Sequence, residues 1–171
     1  MIYPEPYTKE TWPDWARKAE PLFAEAQASS ALRFIVTAGH HPAYSSGMEE
    51  GKAPLRAILD DFGKRFGKYV LNLAAHSHNY ERTKPQAHVV HVTAGMGGAA
   101  LERATTACGW PECKPPAFSA FRAIHHGFVK LTVRADGISL EAICAAKSAA
   151  EDTLRCTDGE IMDTALIPAG R

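Results

Sequence analysis

Two short apolar segments on either side of a helical pattern constrain the fold more than any other feature of this sequence. Residues 33–38 and 68–75 are short and apolar, which is typical of buried strands. Between them, Pro54 opens a segment whose apolar residues recur on one helical face. A strand, a helix and a strand in this order predict two parallel neighbours in one sheet. Ligands gather at the carboxyl ends of the strands in sheets of this kind.

A further helix is predicted near the N-terminus, and further strands near the C-terminus. Apolar residues recur at helical spacing over residues 12–28, with Thr11 as the candidate N-cap. A turn containing Asp136 and Gly137 joins two of the later strands, which predicts a hairpin. Residues 99–120 show no periodicity and are predicted to form a long loop. The predicted strands of this part of the chain are 88–93, 126–133 and 137–143.

Composition is typical of a globular protein and excludes some partners. The 171 residues are 46% hydrophobic and 22% charged, and 19 basic residues balance 19 acidic ones. Residues 1–171 are predicted to form one domain. Because the chain has no net positive charge, nucleic acid is not an expected partner. No apolar run reaches the roughly 20 residues of a membrane-spanning helix, so no membrane partner is expected, and the N-terminus lacks the pattern of a signal peptide.

The four cysteines indicate two disulfides. Cys108 and Cys113 flank a Gly-Trp-Pro-Glu turn, and Cys144 ends a predicted strand with Cys156 in the loop that follows. None of them has the C-x-x-C spacing of zinc or thioredoxin-like sites, so local pairing within each of these two pairs is predicted, with free buried thiols as the alternative. Disulfides predict an oxidising compartment, extracellular or periplasmic, and the protein would then need an export signal.

Three histidines follow the two predicted parallel strands. His40 comes after the first strand, and His76 and His78 come after the second. Residues two apart in an extended segment point to the same side, so one edge of the sheet can gather these imidazoles. A single histidine after a strand is more often a loop or core residue than a ligand, but the matching positions favour a metal site, since imidazole binds zinc, iron and manganese. Four further histidines are expected to be structural: His88, His91, His125 and His126.

The residues around these histidines resemble a known family. Residues 36–47, VTAGHHPAYSSG, look like the fourth metal-binding motif of the calcineurin-like metallophosphoesterases. Residues 75–83, AHSHNYERT, look like the fifth motif in the form typical of purple acid phosphatases. Residues 92–98 and 126–133 resemble later strands of that family, so the likeness extends over about residues 33–145.

The resemblance implies a fold, a reaction and a set of ligands. The fold would be α/β, the C-terminal part of a four-layer α/β-β-α sandwich with a mixed sheet, flanking helices and antiparallel hairpin strands. His40 and His76 would bind the second metal ion and His78 the first, in a two-metal centre of iron, zinc or manganese. In such a centre, metal-bound hydroxide attacks a phosphate ester, here a phosphomonoester. The candidate substrate contacts are His41, Tyr80 and Arg82.

Three other motifs of the family, D-x-H, G-D-x-x-D/Y and G-N-H-E/D, do not occur in this sequence. Three neutral imidazoles cannot neutralise two di- or trivalent ions, so the centre is predicted to be incomplete in this chain. The chain is then the C-terminal part of a larger phosphatase, a non-catalytic metal-binding or interaction module, or a chain whose site is completed in trans by a second copy or a separate N-terminal half. A missing half would also leave an apolar face or strand edge exposed, through which the chain could dimerise.

Overall fold

Helix α1 (Trp12–Ala28) and helix α2 (Ala53–Arg65) have the positions predicted for them. At the start of α1 the hydroxyl of Thr11 accepts a hydrogen bond from the Asp14 amide at 3.2 Å, and the Asp14 carboxylate accepts one from the Thr11 amide. This capping box satisfies two amides that the helix itself leaves without a partner. Within the described residues, neither helix is long and apolar enough to span a bilayer. The structure is a computed structural model that describes residues 1–4, 9–102, 114–147, 149 and 152–170.

The strands of the described residues form two sheets. Their bounds are β1 Ile35–Ala38, β2 Tyr69–Ala74, β3 Tyr80–Thr83, β4 Val90–Ala94, β5 Ser119–Ala123, β6 Gly127–Val133, β7 Gly137–Cys144 and β8 Ile161–Pro168. The first sheet has the order β1-β2-β4-β3-β5. Strands β1, β2 and β4 run parallel, which confirms the crossover predicted around α2, and β3 and β5 are antiparallel. The carboxyl ends of β1, β2 and β4 therefore lie along one edge of this sheet.

The second sheet is antiparallel and has the order β6-β7-β8. The predicted hairpin joins β6 to β7, and its turn is closed by a hydrogen bond from the Arg134 amide to the Gly137 carbonyl at 2.9 Å. Apolar side chains from both sheets form one core, to which the first sheet contributes Leu71 and Val92 and the second contributes Leu140. The two sheets are thus held together mainly by apolar burial.

The helices cover the other face of the first sheet. Adjacent residues of β1 show this, since Ile35 packs in a cluster with Phe23 of α1 and Leu59 of α2, whereas Val36 packs against the core between the sheets. Successive residues of a strand point to opposite faces, so the first sheet has apolar neighbours on both sides. Helices, mixed sheet and antiparallel sheet are three successive layers, which confirms the predicted fold class.

Strands β3, β5 and β8 are present in the structure but are not predicted from the sequence. Residues 99–120 are predicted as a loop, but Ser119 already begins β5, and this prediction is wrong at that end. The reason is tertiary: β5 is only five residues long and mixed in polarity, and its backbone is ordered by antiparallel pairing with β3. Residues 103–113 lie outside the described residues.

One of the two predicted disulfides is present. Cys144, the last residue of β7, is bonded to Cys156 in the loop before β8, and their Cα atoms are 6.3 Å apart. The predicted pair of Cys108 and Cys113 lies outside the described residues. The confirmed disulfide ties the second sheet to the loop that leads into its third strand.

Candidate metal centre

The parallel strands bring His40 and His76 together just beyond the ends of β1 and β2. The pairing of the two strands continues past their last residues, because the Gly39 amide donates to the Leu73 carbonyl at 3.1 Å and the Ala75 amide donates to the His40 carbonyl at 2.9 Å. The two histidines are therefore neighbours for the same reason that the strands are. This is the edge at which the sequence predicts a ligand site.

The imidazoles of His40 and His76 face each other. The Nδ1 atom of His76 lies 2.9 Å from the Nε2 atom of His40, and the ring centroids are 4.7 Å apart. Two imidazole nitrogens bound to one tetrahedral zinc ion lie about 3.3 Å apart, so the pair needs to open only slightly to hold an ion. The donor set therefore fits one cation of the kind that the family implies, with two neutral nitrogens as ligands.

A carboxylate orients the second ring of this pair. The Oε2 atom of Glu49 lies 3.1 Å from the Nε2 atom of His76, and the Nζ atom of Lys52 lies 3.6 Å from the same oxygen. A carboxylate on the outer nitrogen fixes the tautomer and the orientation of a metal-binding imidazole and makes its inner nitrogen more basic. Glu49 thus holds the inner nitrogen of His76 toward His40.

His78 binds a different set of groups. Its Nδ1 atom lies 2.9 Å from the carbonyl oxygen of Ala100, and its amide donates to the Oε2 atom of Glu102 at 3.1 Å. The other carboxylate oxygen of Glu102 lies 3.6 Å from Nδ1. The structure therefore divides the three histidines into a pair and a single imidazole, which is the grouping that the family resemblance implies. Their role as metal ligands stays a prediction.

The turn that carries His76 and His78 is packed closely against the end of β4. His76 has a φ of 62°, in the left-handed region. The Gly95 amide donates to the Asn79 carbonyl at 3.0 Å, and a Cβ atom at Gly95 would lie only 2.0 Å from the carbonyl oxygen of Ser77. A side chain at position 95 would therefore displace the turn, so Gly95 is required by this close approach.

The loop between His40 and α2 is anchored to the strands that follow the histidine turn. Glu81, buried in β3, accepts hydrogen bonds from the amide and the hydroxyl of Ser46 at 2.7 and 2.8 Å. Arg122 of β5 donates to the same hydroxyl at 3.3 Å. Hydrogen bonds to a buried carboxylate are stronger than neutral ones, so Glu81 fixes the loop that presents Glu49.

The candidate substrate contact His41 is buried against the histidine pair. Its ring centroid lies 4.0 Å from that of His76, and its carbonyl oxygen accepts a hydrogen bond from the Tyr3 hydroxyl at 2.8 Å. Its ring is also 6.1 Å from that of Trp12. His41 therefore supports the pair by packing, and its contact with substrate stays a prediction.

The polar atoms of Tyr80 and Arg82 are directed at Asp163 of β8. The Tyr80 hydroxyl donates to Asp163 at 2.7 Å, and Arg82 donates to both carboxylate oxygens at 2.7 and 2.9 Å. Burial raises the pKa of Tyr80, and the hydrogen bonds to Asp163 raise the pKa of Arg82. This network links β3 of the first sheet to β8 of the second, and substrate contact by either residue stays a prediction.

Glu49 and Glu102 belong to the site but are not among the residues predicted from the sequence. Each places a carboxylate next to a predicted ligand, so each half of the divided site gains one negative charge. Both are reached through loops, 27 and 24 residues away from their histidine partners. No spacing or periodicity in the sequence could have identified them, because loop geometry alone brings them into place.

Comparisons with known proteins agree with this fold. Residues 88–149 match the family model described as iron/zinc purple acid phosphatase-like protein C. The matched residues begin after His78 and do not include the three candidate ligands. No curated protein gives a significant match. Among solved structures, GAP50, described as the anchor in the inner membrane complex of Plasmodium, is 19% identical, with a TM-score of 0.73 over 94% of this chain and 44% of that one. Purple acid phosphatase PPD1 from yellow lupin (Lupinus luteus) seeds is 22% identical, with a TM-score of 0.67 over 95% of this chain and 29% of that one.

These likenesses confirm the resemblance and the fold class predicted from the sequence. At identities of 19% and 22%, the structural matches show the fold alone. The chain spans less than half the length of either protein. The family implies iron, zinc or manganese in pairs, and among the described residues the facing imidazoles of His40 and His76 fit one such ion.

Proposed function

We propose that this chain, a C-terminal calcineurin-like metallophosphoesterase-type domain of the purple acid phosphatase kind, contributes the histidine ligands of a metal-dependent phosphomonoester hydrolase. The observation that carries the proposal is the facing pair of His40 and His76, with 2.9 Å between their ring nitrogens at the carboxyl edge of a parallel sheet. Iron, zinc or manganese held there would act as a Lewis acid toward a phosphate ester.

In the proposed centre, residues of this chain bind the metal ions and orient the ligand side chains. His40 and His76 hold one ion, and Glu49 keeps the ring of His76 in place. His78 offers its Nε2 atom to the second ion, because the Ala100 carbonyl occupies its Nδ1 atom. Both ligand segments sit on a rigid frame, since the strand ends and the close contact at Gly95 fix their backbones.

Further ligands are needed for hydrolysis. The described residues place only Glu49 and Glu102 beside the three histidines, and two ions of charge two or three require more negative ligands than these. We infer that a further segment of protein, continuous with this chain or supplied by a second copy or a separate chain, completes the centre. The substrate partner of the completed centre is a phosphate ester.

The alternative to hydrolysis is that the chain serves as a metal-binding or interaction module without turnover. The absence of the D-x-H, G-D-x-x-D/Y and G-N-H-E/D motifs favours it. One similar fold, GAP50, is described as an anchor. In this alternative the histidine pair still binds an ion, but the chain presents a surface instead of a reaction centre.

Metal binding to matched variants tests the role of the pair. Zn²⁺ or Mn²⁺ bound after dialysis is measured by mass spectrometry of the metal for the wild type, His40→Ala, His76→Asn and His88→Asn. His88→Asn is the matched control, since His88 is an exposed histidine with a φ of 60°, close to the 62° of His76, and asparagine tolerates this conformation. We expect about a hundredfold weaker binding, or none, in the first two variants, because each removes one of two ligands. Equal binding by all four proteins would contradict the proposal.

Turnover separates the two functions. Hydrolysis of p-nitrophenyl phosphate is measured with added Zn²⁺, Mn²⁺ or Fe, for this chain over a range of concentrations and for the product of its gene with any coding sequence that precedes Met1. The hydrolase proposal predicts metal-dependent turnover in at least one of these forms, lost in His40→Ala and kept in His88→Asn. Bound metal without turnover in every form would support the module instead.

The compartment is proposed to be extracellular or periplasmic. The Cys144–Cys156 disulfide supports an oxidising environment, because such bonds persist mainly outside the cytosol. Mass spectrometry of alkylated protein taken directly from its native source would show this cysteine pair protected. A fully alkylated pair would contradict the assignment.

A further inference from the structure

A second group of metal-ligand side chains surrounds the confirmed disulfide. His125, Cys144 and Cys156 are all buried, and their ligand atoms lie within 4.8 Å of one another. Within the part of the chain that the structure describes, no other three His, Cys, Asp or Glu side chains come so close together. This group, called here the His125 cluster, is built from the segment between β5 and β6, the end of β7 and the loop before β8.

One ring nitrogen of His125 is hydrogen-bonded and the other is open. Its Nδ1 atom lies 2.7 Å from the carbonyl oxygen of His126, and since a carbonyl can only accept, Nδ1 carries the proton. Its Nε2 atom has no hydrogen-bond partner in the protein. Because the side chain is 0% exposed, solvent does not reach this atom either. A buried nitrogen lone pair without a donor costs free energy, and metal-binding histidines have this arrangement, with one nitrogen fixed and the other open.

A carboxylate stands beside the open nitrogen. The Oδ2 atom of Asp152 lies 3.6 Å from the Nε2 atom of His125, too far for a hydrogen bond, and the Asp152 side chain is only 5% exposed. The same oxygen accepts a hydrogen bond from the Ala149 amide at 2.7 Å, which holds the carboxylate in place. Two acceptors thus face each other inside the protein, an arrangement that a cation between them would stabilise.

His125 and Asp152 already have the spacing of two ligands of a tetrahedral ion, and the sulfur atoms join them only after the disulfide opens. Asp152 itself lies outside the group whose ligand atoms are within 4.8 Å of one another, so its side chain has to turn toward the sulfurs. Nitrogen, oxygen and sulfur ligands of zinc are separated by about 3.3–3.8 Å, given bond lengths of about 2.0–2.3 Å. The 3.6 Å between His125 and Asp152 is within that range. With their Cα atoms 6.3 Å apart, Cys144 and Cys156 can separate their sulfur atoms to this spacing by rotation of the side chains alone.

The backbone of the cluster is held without the disulfide. Cys144 is fixed on both sides, because its amide donates to the Glu160 carbonyl at 2.9 Å and its carbonyl accepts from the Gly159 amide at 2.8 Å. Thr153 exchanges two hydrogen bonds with Ile124, next to His125, at 2.8 and 3.1 Å. The backbone at Cys144 and beside His125 is therefore held by contacts other than the sulfur–sulfur bond.

We propose that reduction of the Cys144–Cys156 disulfide converts the His125 cluster into a closed zinc site with His125, both cysteine thiolates and Asp152 as its four ligands. A dithiol reductant supplies two electrons and two protons to the sulfur–sulfur bond and is itself oxidised to a disulfide. Binding of Zn²⁺ then releases the two thiol protons. The soft thiolates and the imidazole select zinc over hard cations such as Mg²⁺ or Ca²⁺.

The cluster would keep the loop before β8 attached in either redox state, through a disulfide when oxidised and through an ion when reduced. This inference is independent of the proposed phosphoester hydrolysis. It uses none of the residues at the strand edge, and its ligands include sulfur, which the strand-edge pair lacks.

Cobalt is the probe for this site, since a thiolate bound to Co²⁺ gives a near-ultraviolet sulfur-to-cobalt charge-transfer band that imidazole alone does not. The titration uses the full chain with Cys108→Ser and Cys113→Ser, so that Cys144 and Cys156 are its only cysteines, before and after reduction. We expect the sulfur band to correspond to one Co²⁺ per reduced chain, in addition to any Co²⁺ held by His40 and His76. We expect Zn²⁺ to abolish the band and the oxidised protein to lack it. A reduced protein with intact circular dichroism and no sulfur band would overturn the proposal.

Matched variants separate the ligand from its neighbour. His125→Gln should weaken Co²⁺ binding at least tenfold and change the visible cobalt spectrum, whereas His126→Gln should leave both unchanged, because the ring of His126 contacts the Met96 carbonyl at 3.2 Å instead of the sulfurs. If His125→Gln fails to fold, alkylation of the reduced wild type tests the site instead. Zn²⁺ should slow the modification of Cys144 and Cys156 by iodoacetamide at least tenfold. Equal alkylation rates with and without Zn²⁺ would contradict the site.

Discussion

The histidines at the strand edge and the histidines inside the protein differ in what their surroundings allow them to do. At the edge, the side chain of His76 is 20% exposed and faces a second imidazole across 2.9 Å. Inside, His91 and His125 are buried, and each has a ring nitrogen without a hydrogen bond. Catalytic metal sites keep an open position, whereas structural sites are closed. Burial therefore separates the imidazoles that a ligand from solvent can reach from those that only the protein itself contacts.

The largest change in stability is expected at His91, whose ring centroid lies 4.7 Å from that of Tyr44, a residue of the cluster beneath the helices. Burial, with the nearby charge of Arg56, lowers the pKa of His91 to about 3, against about 6.5 in an unfolded chain. The unfolded state therefore binds more protons at acid pH, and stability is lost as the pH falls below about 6.5. From pH 7 to pH 4 this histidine alone should cost about 3 kcal/mol in free energy of unfolding.

Urea denaturation of the wild type and His91→Phe at several pH values measures this contribution. Because neither ring nitrogen of His91 has a hydrogen-bond partner, phenylalanine should be tolerated at pH 7, and the variant should lose less stability in acid than the wild type. His88→Asn, which removes an exposed histidine, should keep the acid dependence of the wild type. Parallel stability curves for wild type and His91→Phe would contradict the contrast between buried and exposed histidines.

A somewhat smaller effect is expected from opening the disulfide in the absence of metal. The bond closes a loop with a sequence separation of 12, for which constraint of the unfolded chain predicts about 2–3 kcal/mol of stabilisation. Urea denaturation of the Cys108→Ser, Cys113→Ser chain with and without a dithiol reductant and a chelator gives this value. His40→Ala at the open edge should change stability by only about 0.5 kcal/mol. A loss at His40 as large as the loss at the disulfide would remove the distinction between the two regions.

The smallest change is expected from Glu49, which orients His76 at the open edge. Glu49→Gln removes the charge that orients His76 but keeps the shape of the side chain. We expect about tenfold weaker metal binding, as is typical when an outer carboxylate is lost, with unchanged stability. Glu50→Gln is the matched control, since Glu50 is its exposed neighbour in the same loop. Isothermal titration with Zn²⁺ measures both, and identical affinities would show that Glu49 does not orient the ligand.

The parts of the fold that local pattern could predict are those in which one face of an element is continuously apolar. Helix α1 has the predicted bounds because its spacing and the Thr11 cap agree. Strand β8 has no such pattern, since Asp163 interrupts it, and the charge of that residue is paired by Arg82 from another sheet. A strand stabilised by a distant partner cannot be recognised from its own residues.

The same distinction holds for the candidate centre. The sequence predicts the strand-end positions of His40 and His76, because parallel strands place their carboxyl ends together. It predicts neither Glu49 nor the approach of His125 to the disulfide, since loops bring these groups into contact. Ligands carried by strand ends are therefore predictable from order along the chain, while the carboxylates that orient them require the folded structure.

The position of a bound ion tests the pairing of His40 and His76 most directly. Crystals of the oxidised chain soaked in Zn²⁺ should show an anomalous scattering peak at about 2.0–2.1 Å from the Nε2 atom of His40 and the Nδ1 atom of His76. No peak should occur beside His125 while the disulfide is intact. Zinc bound elsewhere, with none between His40 and His76, would contradict the proposed metal pair.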